Sequence, residues 1–157
     1  MVRFREAGEA DAEALARLLT ELNEVVGADS LPPGPDKLPE NVVVSSEQMD
    51  ERLQVTSGLE MVLLAEENGD PAGFAALRIV PYLGQDLPYA EVTQLYVVPA
   101  HRRRGAGLAL MRRAEEIARD RGCTSVHVTT GRDNLEAQAV YRAADYEALY
   151  VTFEKFL

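Results

Sequence analysis

The sequence predicts one mixed α/β (α+β) domain, spanning residues 1–157 and built around a single sheet. Three observations carry that expectation. Apolar residues alternate in some stretches and recur every three to four positions in others, so strands and helices interleave along the chain. Glycine, proline and asparagine punctuate those stretches at short intervals. A chain of 157 residues, 46% hydrophobic and 27% charged, has the size and composition of one soluble domain with one sizeable core.

Val2–Glu6 alternates as a short strand. Asp11 is placed to cap a helix running to about Glu24, with Leu15, Leu18, Leu19 and Leu22 at core spacing and Gly27 as its stop. Residues 28–41 hold Pro32, Pro33, Gly34, Pro35 and Pro39, which continue neither a helix nor a central strand. They form a loop of a length that tends to be functional or mobile. A short helix follows, capped by Ser45 or Ser46 and running from Glu47 to Leu53. Met61–Glu66 is an apolar strand, Asn68-Gly69-Asp70 a hairpin turn, and Ala72–Val80 the return strand. A second loop with Pro81, Gly84 and Pro88 leads into the long strand Tyr89–Val98. Gly105–Arg121 is an amphipathic helix, with Leu108, Met111, Ala114, Ile117 and Ala118 on one face and Gly122 at its end. Thr124–Thr130 is a β-branched strand, Asn134–Ala143 a helix and Ala148–Phe156 a final strand.

Composition removes several function classes. The net charge of −10 argues against a nucleic-acid partner, which needs a basic face. No apolar run reaches the roughly 20 residues that cross a bilayer, and the N-terminus lacks the apolar stretch of a signal peptide, so no membrane partner is expected. Cys123 stands alone, which makes a reducing cytoplasm the default location. Two histidines and one cysteine, widely spaced, do not suit a zinc site, and no metal is expected. Charge is uneven: residues 1–98 carry 6 basic and 18 acidic side chains, residues 99–157 carry 10 basic and 8 acidic ones. An acidic half beside a basic half suits a cationic substrate at one end and an anionic ligand at the other.

The chemistry concentrates in Glu91-Val92-Thr93-Gln94-Leu95-Tyr96-Val97-Val98-Pro99-Ala100-His101-Arg102-Arg103-Arg104-Gly105-Ala106-Gly107. This is a strand, a basic turn and a helix start. Such a turn aims main-chain N–H groups at an anion, the helix N-terminus adds about half a positive charge, and glycine admits a phosphate close to the backbone. No Gly-Lys-Ser/Thr follows the glycines, so this is not a magnesium-dependent phosphate loop, nor does it match Gly-x-Gly-x-x-Gly. A pyrophosphate held without metal fits.

With Arg102, Gly105 and Gly107 in fixed positions, the segment resembles the acetyl-CoA motif of the GCN5-related N-acetyltransferases, Gln/Arg-x-x-Gly-x-Gly/Ala after a strand. Asn134-Leu135-Glu136-Ala137-Gln138-Ala139-Val140-Tyr141 resembles that family's Asn-x-x-Ala-x-x-x-Tyr, in the right order and at the usual separation. One departure is Asp145-Tyr146 where the family often has Gly-Phe; aspartate tolerates left-handed backbone, so the turn survives. The resemblance implies the GNAT fold: a mixed, mostly antiparallel central sheet of six to seven strands flanked by about four helices. It implies acetyl-CoA as cosubstrate and direct transfer of the acetyl group to a primary amine in a ternary complex.

Site roles are likewise implied by the resemblance. The backbone of Leu95, Tyr96 and Val97 pairs with the pantetheine arm, and the N–H of Val97 polarises the thioester carbonyl. Amides across Arg102, Arg103, Arg104, Gly105, Ala106, Gly107 and Leu108 hold the pyrophosphate. Asn134 contacts the cofactor arm or else caps its helix. Tyr141 is the expected general acid, a phenol of pKa about 10 suited to protonating a departing thiolate. Glu91 is the expected general base, and Tyr82, Asp86 and Tyr89 are weaker candidates for lining the acceptor site. His101 has the character of an ordinary loop residue. A small cationic amine is the expected acceptor, with the loop at 28–41 covering its side of the site. The alternatives are a protein lysine or N-terminus, or an acyl-CoA-binding sensor without catalysis. Family members often pair, which allows a homodimer involving the final strand.

Overall fold

The computed structural model describes residues 2–27, 43–56, 58–84, 86–153 and 155. Its sheet is assembled in chain order. Strand β1 (Val2–Glu6) pairs antiparallel with β2 (Glu60–Glu67), β2 with β3 (Asp70–Val80), and β3 with β4 (Tyr89–Val97). Strand β5 (Val126–Val128) lies parallel to the start of β4. The β2–β3 hairpin closes through Asn68 and Gly69 at φ 56° and 90°, the two left-handed positions that an Asn-Gly turn supplies at low cost.

Helices α1 (Ala12–Gly27) and α2 (Ser46–Thr56) lie on one face, and α3 (Ala106–Asp120) and α4 (Leu135–Ala143) on the other. Strand alternation divides the core accordingly. Leu64, Phe74 and Tyr96 pack with Leu15, Leu18, Leu19 and Met49, while Leu63, Ala75, Leu77 and Val92 pack with Leu110, Met111 and Ala114. Burial on both faces explains why β2 and β3 show runs of consecutive apolar residues.

Several expectations change in detail. Asp11 does not cap α1. It ends a short 3-10 turn (Glu9–Asp11), accepts the Gly8 N–H at 2.9 Å and takes Arg5 in a two-pronged ion pair at 2.7 and 2.8 Å. Ser45 is the cap of α2: its Oγ accepts the Gln48 N–H at 3.1 Å while Gln48 Oε1 accepts the Ser45 N–H at 3.0 Å, a reciprocal capping box. Asp145 does adopt the left-handed conformation, at φ 63°. The described residues form five strands, against six to seven expected. The segment expected over Ala148–Phe156 is not a strand in its described part; Leu149, Tyr150, Val151 and Phe153 are exposed, and although the Tyr150 ring lies 6.2 Å from that of His127 on β5, no main-chain ladder forms. The proline-rich loop at 28–41 lies outside the described residues. Among the described residues, no helix is long and apolar enough to cross a membrane.

Candidate active site

Strand β4 pairs with β3 along its length but with β5 only at Ala90, Glu91 and Val92, opposite Val126, His127 and Val128. Beyond Val92 the two parallel strands separate, leaving residues 93–97 with a free edge inside the sheet. Thr93 is the extra residue of a β-bulge, because Ala76 opposes Gln94 while Leu77 opposes Val92. Alternation decides which groups face the opening. Val98 donates its N–H to Ala72 at 3.0 Å and Tyr96 lies opposite Phe74, so the main-chain groups of Tyr96 point toward β3. Those of Leu95 and Val97 therefore face the free edge, where an extended ligand is able to pair with them as a further strand. Of the three residues expected to pair in this way, Tyr96 instead contributes a buried side chain. Its hydroxyl donates to Glu21 at 2.9 Å, and burial and that carboxylate push the phenol up to about 12.

The turn after β4 is shaped by backbone geometry. Arg103 sits at φ 58° and Gly105 at φ 85°, the latter as the residue before α3. A β-carbon at Gly105 would meet nothing within 4 Å, so glycine is needed there for its conformation rather than for space. Gly107 is different: a β-carbon would touch Val140 and Val97 at 3.7 Å, ordinary contact, so Gly107 faces α4 and β4. The first bond of α3 runs from the Ala109 N–H to the Gly105 carbonyl at 2.9 Å, which leaves the N–H groups of Ala106, Gly107 and Leu108 without helical partners. These donors and the helix dipole place positive potential next to the free edge of β4, an arrangement chemically suited to an anion. The Arg102 N–H is already bonded to Pro99 at 3.2 Å. Its side chain donates from Nε to the Val97 carbonyl at 2.9 Å, lies over the Tyr96 ring at 5.6 Å and reaches Glu136 of α4 at 3.6 Å. Arg102 thus fixes the end of β4. Arg103 and Arg104 are exposed and unpaired among the described residues.

Asn134 caps α4, its Oδ1 accepting the Ala137 N–H at 3.0 Å. Tyr141 sits two turns along α4, in the cluster that holds Leu95, Val97 and Val140. Burial raises its phenol above the ordinary value, and among the described residues its hydroxyl has no hydrogen-bond partner. The side chain is thereby held neutral and available to donate.

On the opposite face a polar row crosses four strands: Glu60 opposes Arg78, Arg78 opposes Glu91, and Glu91 opposes His127. Arg78 holds one oxygen of Glu91 from Nη2 at 2.5 Å and from Nε at 2.7 Å. His127 stacks on Tyr89 with centroids 4.5 Å apart, and Tyr82 meets Tyr89 edge-on at 6.1 Å. The Thr93 hydroxyl donates to the Glu60 carboxylate. The sequence singled out Glu91 as a candidate but gave no sign of Glu60, Arg78 and His127, which register alone brings beside it. Gly73 was also missed, although glycine within a strand is itself a sign of close backbone approach. A β-carbon at Gly73 would collide with the Tyr96 carbonyl oxygen.

Residues 20–146 match the acetyltransferase (GNAT) family. The chain is 36% identical over 89 residues to the aminoglycoside N(6′)-acetyltransferase type 1 of Klebsiella aerogenes; the match covers 55% of this chain and 58% of that protein, little more than half of its length. It is 27% identical over 146 residues to the uncharacterised N-acetyltransferase YhfO of Bacillus subtilis (strain 168), covering 93% of this chain and 90% of that one. Among solved structures, an aminoglycoside acetyltransferase from an uncultured soil metagenomic sample, in complex with sisomicin, superposes with a TM-score of 0.77. The superposition covers 99% of this chain and 96% of the other at 18% identity, a likeness of fold.

Proposed function

The chain belongs to the GNAT acetyltransferase family, and from that premise we propose that it transfers an acetyl group from acetyl-CoA to the primary amine of a small cationic molecule. The observation that carries the reading is the free edge of β4 at Leu95 and Val97, set beside the unpaired N–H groups of Ala106, Gly107 and Leu108. A ligand with an extended amide-bearing arm and a diphosphate finds partners for both in that one groove. Acetyl-CoA supplies the activated acyl group as a thioester. The Val97 N–H is the donor for the thioester carbonyl, stabilising the oxyanion as the amine nitrogen forms its bond to carbon. Tyr141 gives its proton to the sulfur as the C–S bond breaks, and Glu91 takes the proton lost by the amine, directly or through water. Arg78 orients that carboxylate by occupying one of its oxygens, leaving the other for this task.

Small-molecule amines are the favoured acceptors because relatives bearing aminoglycoside acetyltransferase names share sequence or fold with this chain. A homodimer would cover the exposed apolar side chains of Leu149, Tyr150, Val151 and Phe153, and sedimentation velocity would detect it.

Calorimetry with acetyl-CoA and thiol release with an amine panel test the proposal together. Tyr141→Phe is expected to bind acetyl-CoA as the parent does and to lose about 10²-fold or more in turnover. Unchanged turnover would remove Tyr141 as the acid, and absence of acetyl-CoA binding would end the reading.

A further inference from the structure

Resting on the acetyl-transfer reading, in which the acceptor reaches the sheet from the α1–α2 side, we propose that the cleft there selects a primary amine carried on a compact apolar body and that Glu60 receives its ammonium group.

The cleft has a volume of about 160 Å³, and its walls include Leu15, Leu19, Leu53, Val62, Phe74 and Ala76. Polar groups reach it from Glu60, Gln94 and Arg52, the last already engaged in an interaction of its own. Gln94 adjoins Leu95, where the free edge of β4 presents its main chain, so the cleft opens beside the place where the acyl group is delivered. Glu60 stands at the same point: its carboxylate accepts from the hydroxyl of Thr93, the bulge residue at which the free edge begins. Glu91, one position before Val92, is tied to Arg78, whereas among the described residues no cation pairs with Glu60 within ion-pair distance. Of the two carboxylates, Glu60 is the one that lines the cleft; Arg78 stands opposite it in register and acts on it through space, while its contacts go to Glu91.

Size and lining set the substrate class. An apolar cavity of about 150 Å³ accommodates benzene, so this cleft suits a ring or chain of about six carbons. A polyhydroxylated amine would leave hydroxyls without partners against those walls. The inference thus departs from the aminoglycosides named for the relatives and points to an alkyl- or arylalkylamine.

The test uses the full chain with primary n-alkylamines from ethylamine to octylamine, benzylamine and sisomicin. With acetyl-CoA saturating, kcat/KM is expected to rise about fourfold for each added methylene and to level off near about six carbons. Leu53→Trp, which narrows the cleft from its rim, should abolish that rise while thermal melting confirms a folded protein. Glu60→Gln keeps an acceptor for Thr93 and should raise the amine KM about tenfold without changing the dissociation constant for acetyl-CoA. Flat rates across the series, faster turnover of sisomicin than of hexylamine, or an unaltered series in Leu53→Trp would overturn the proposal. Calorimetry with hexylamine alone reads the cleft independently of acetyl transfer, and no binding there overturns the subsite. Failure to bind acetyl-CoA strikes at the parent reading instead, so the two failures are distinguishable.

Discussion

Gly73→Ala is the substitution that most directly joins the fold to the proposed acetyl-CoA groove. Gly73 lies on β3 opposite Val97. A β-carbon there would run into the Tyr96 carbonyl oxygen and come within 3.0 Å of the Val97 Cα. Both obstacles are main chain, so no side-chain rotation relieves them and β4 itself must move. Overpacking of this kind costs about 1–3 kcal/mol. For a chain of this length each kcal/mol lowers Tm by about 2–4 °C, so a mid-range cost of about 2 kcal/mol predicts a drop of about 4–8 °C. The displacement falls on the residue whose N–H faces the free edge. Losing one hydrogen bond of about 1 kcal/mol weakens acetyl-CoA binding about fivefold. Differential scanning calorimetry reads the first effect and titration calorimetry the second. Gly69→Ala is the control. It forces alanine into φ 90° in open space, at a strain of about 1–2 kcal/mol, and should lower Tm while leaving acetyl-CoA affinity intact. If Gly73→Ala melts and binds like the parent, the tight β3–β4 approach is wrong and the argument from the free edge fails with it.

Three further perturbations are accessible. Arg102→Ala removes the donor to the Val97 carbonyl and the tie to Glu136; the acetyl-CoA KM should rise about tenfold, and Arg102→Lys should not restore it because lysine lacks the planar fork, both readable in steady-state kinetics. Ser45→Ala breaks the capping box of α2 and should cost about 1 kcal/mol in denaturant unfolding, with little effect on acetyl-CoA binding. The Arg5 guanidinium, burial acting against it, holds the Asp11 carboxyl below its ordinary value. A depressed folded-state pKa contributes stability above the unfolded value of about 3.9 and loses it as pH falls through that value and then the folded one. The Tm gap between the parent and Asp11→Asn should therefore be widest near neutrality and close on acidification below about pH 4; a gap independent of pH would contradict this.

Much of the fold was legible before any coordinates, for a physical reason: the signals involved are local. The Asn68-Gly69 turn and the glycine before α3 each act within a few residues and stand where their chemistry requires; the α3 stripe holds at Met111, Ala114 and Ala118, while Leu110 rather than Leu108 is its fully buried leucine. The helix start after Arg102-Arg103-Arg104 belongs to the same class. Boundaries were less legible where two local devices compete. Asp11 has the composition of a cap but is captured by Arg5, and Glu66 shares that same guanidinium at 2.7 Å from β2. The last segment has strand-forming residues, and its Tyr150 ring comes within 6.2 Å of the His127 ring on β5, yet no main-chain ladder joins its described part to the sheet.

The sequence by itself determined the order of elements up to the last helix and the glycine-containing turn before α3, because those signals lie within a few residues of one another, and its two motifs resembled the family that the chain belongs to. Only the tertiary structure decided that β5 abandons β4 after Val92, that Leu95 and Val97 rather than Tyr96 face the opening, and that Glu60, Arg78, Glu91 and His127 stand in one row. Those facts depend on register between strands far apart in the chain. A shift of one residue would turn every one of those side chains to the other face.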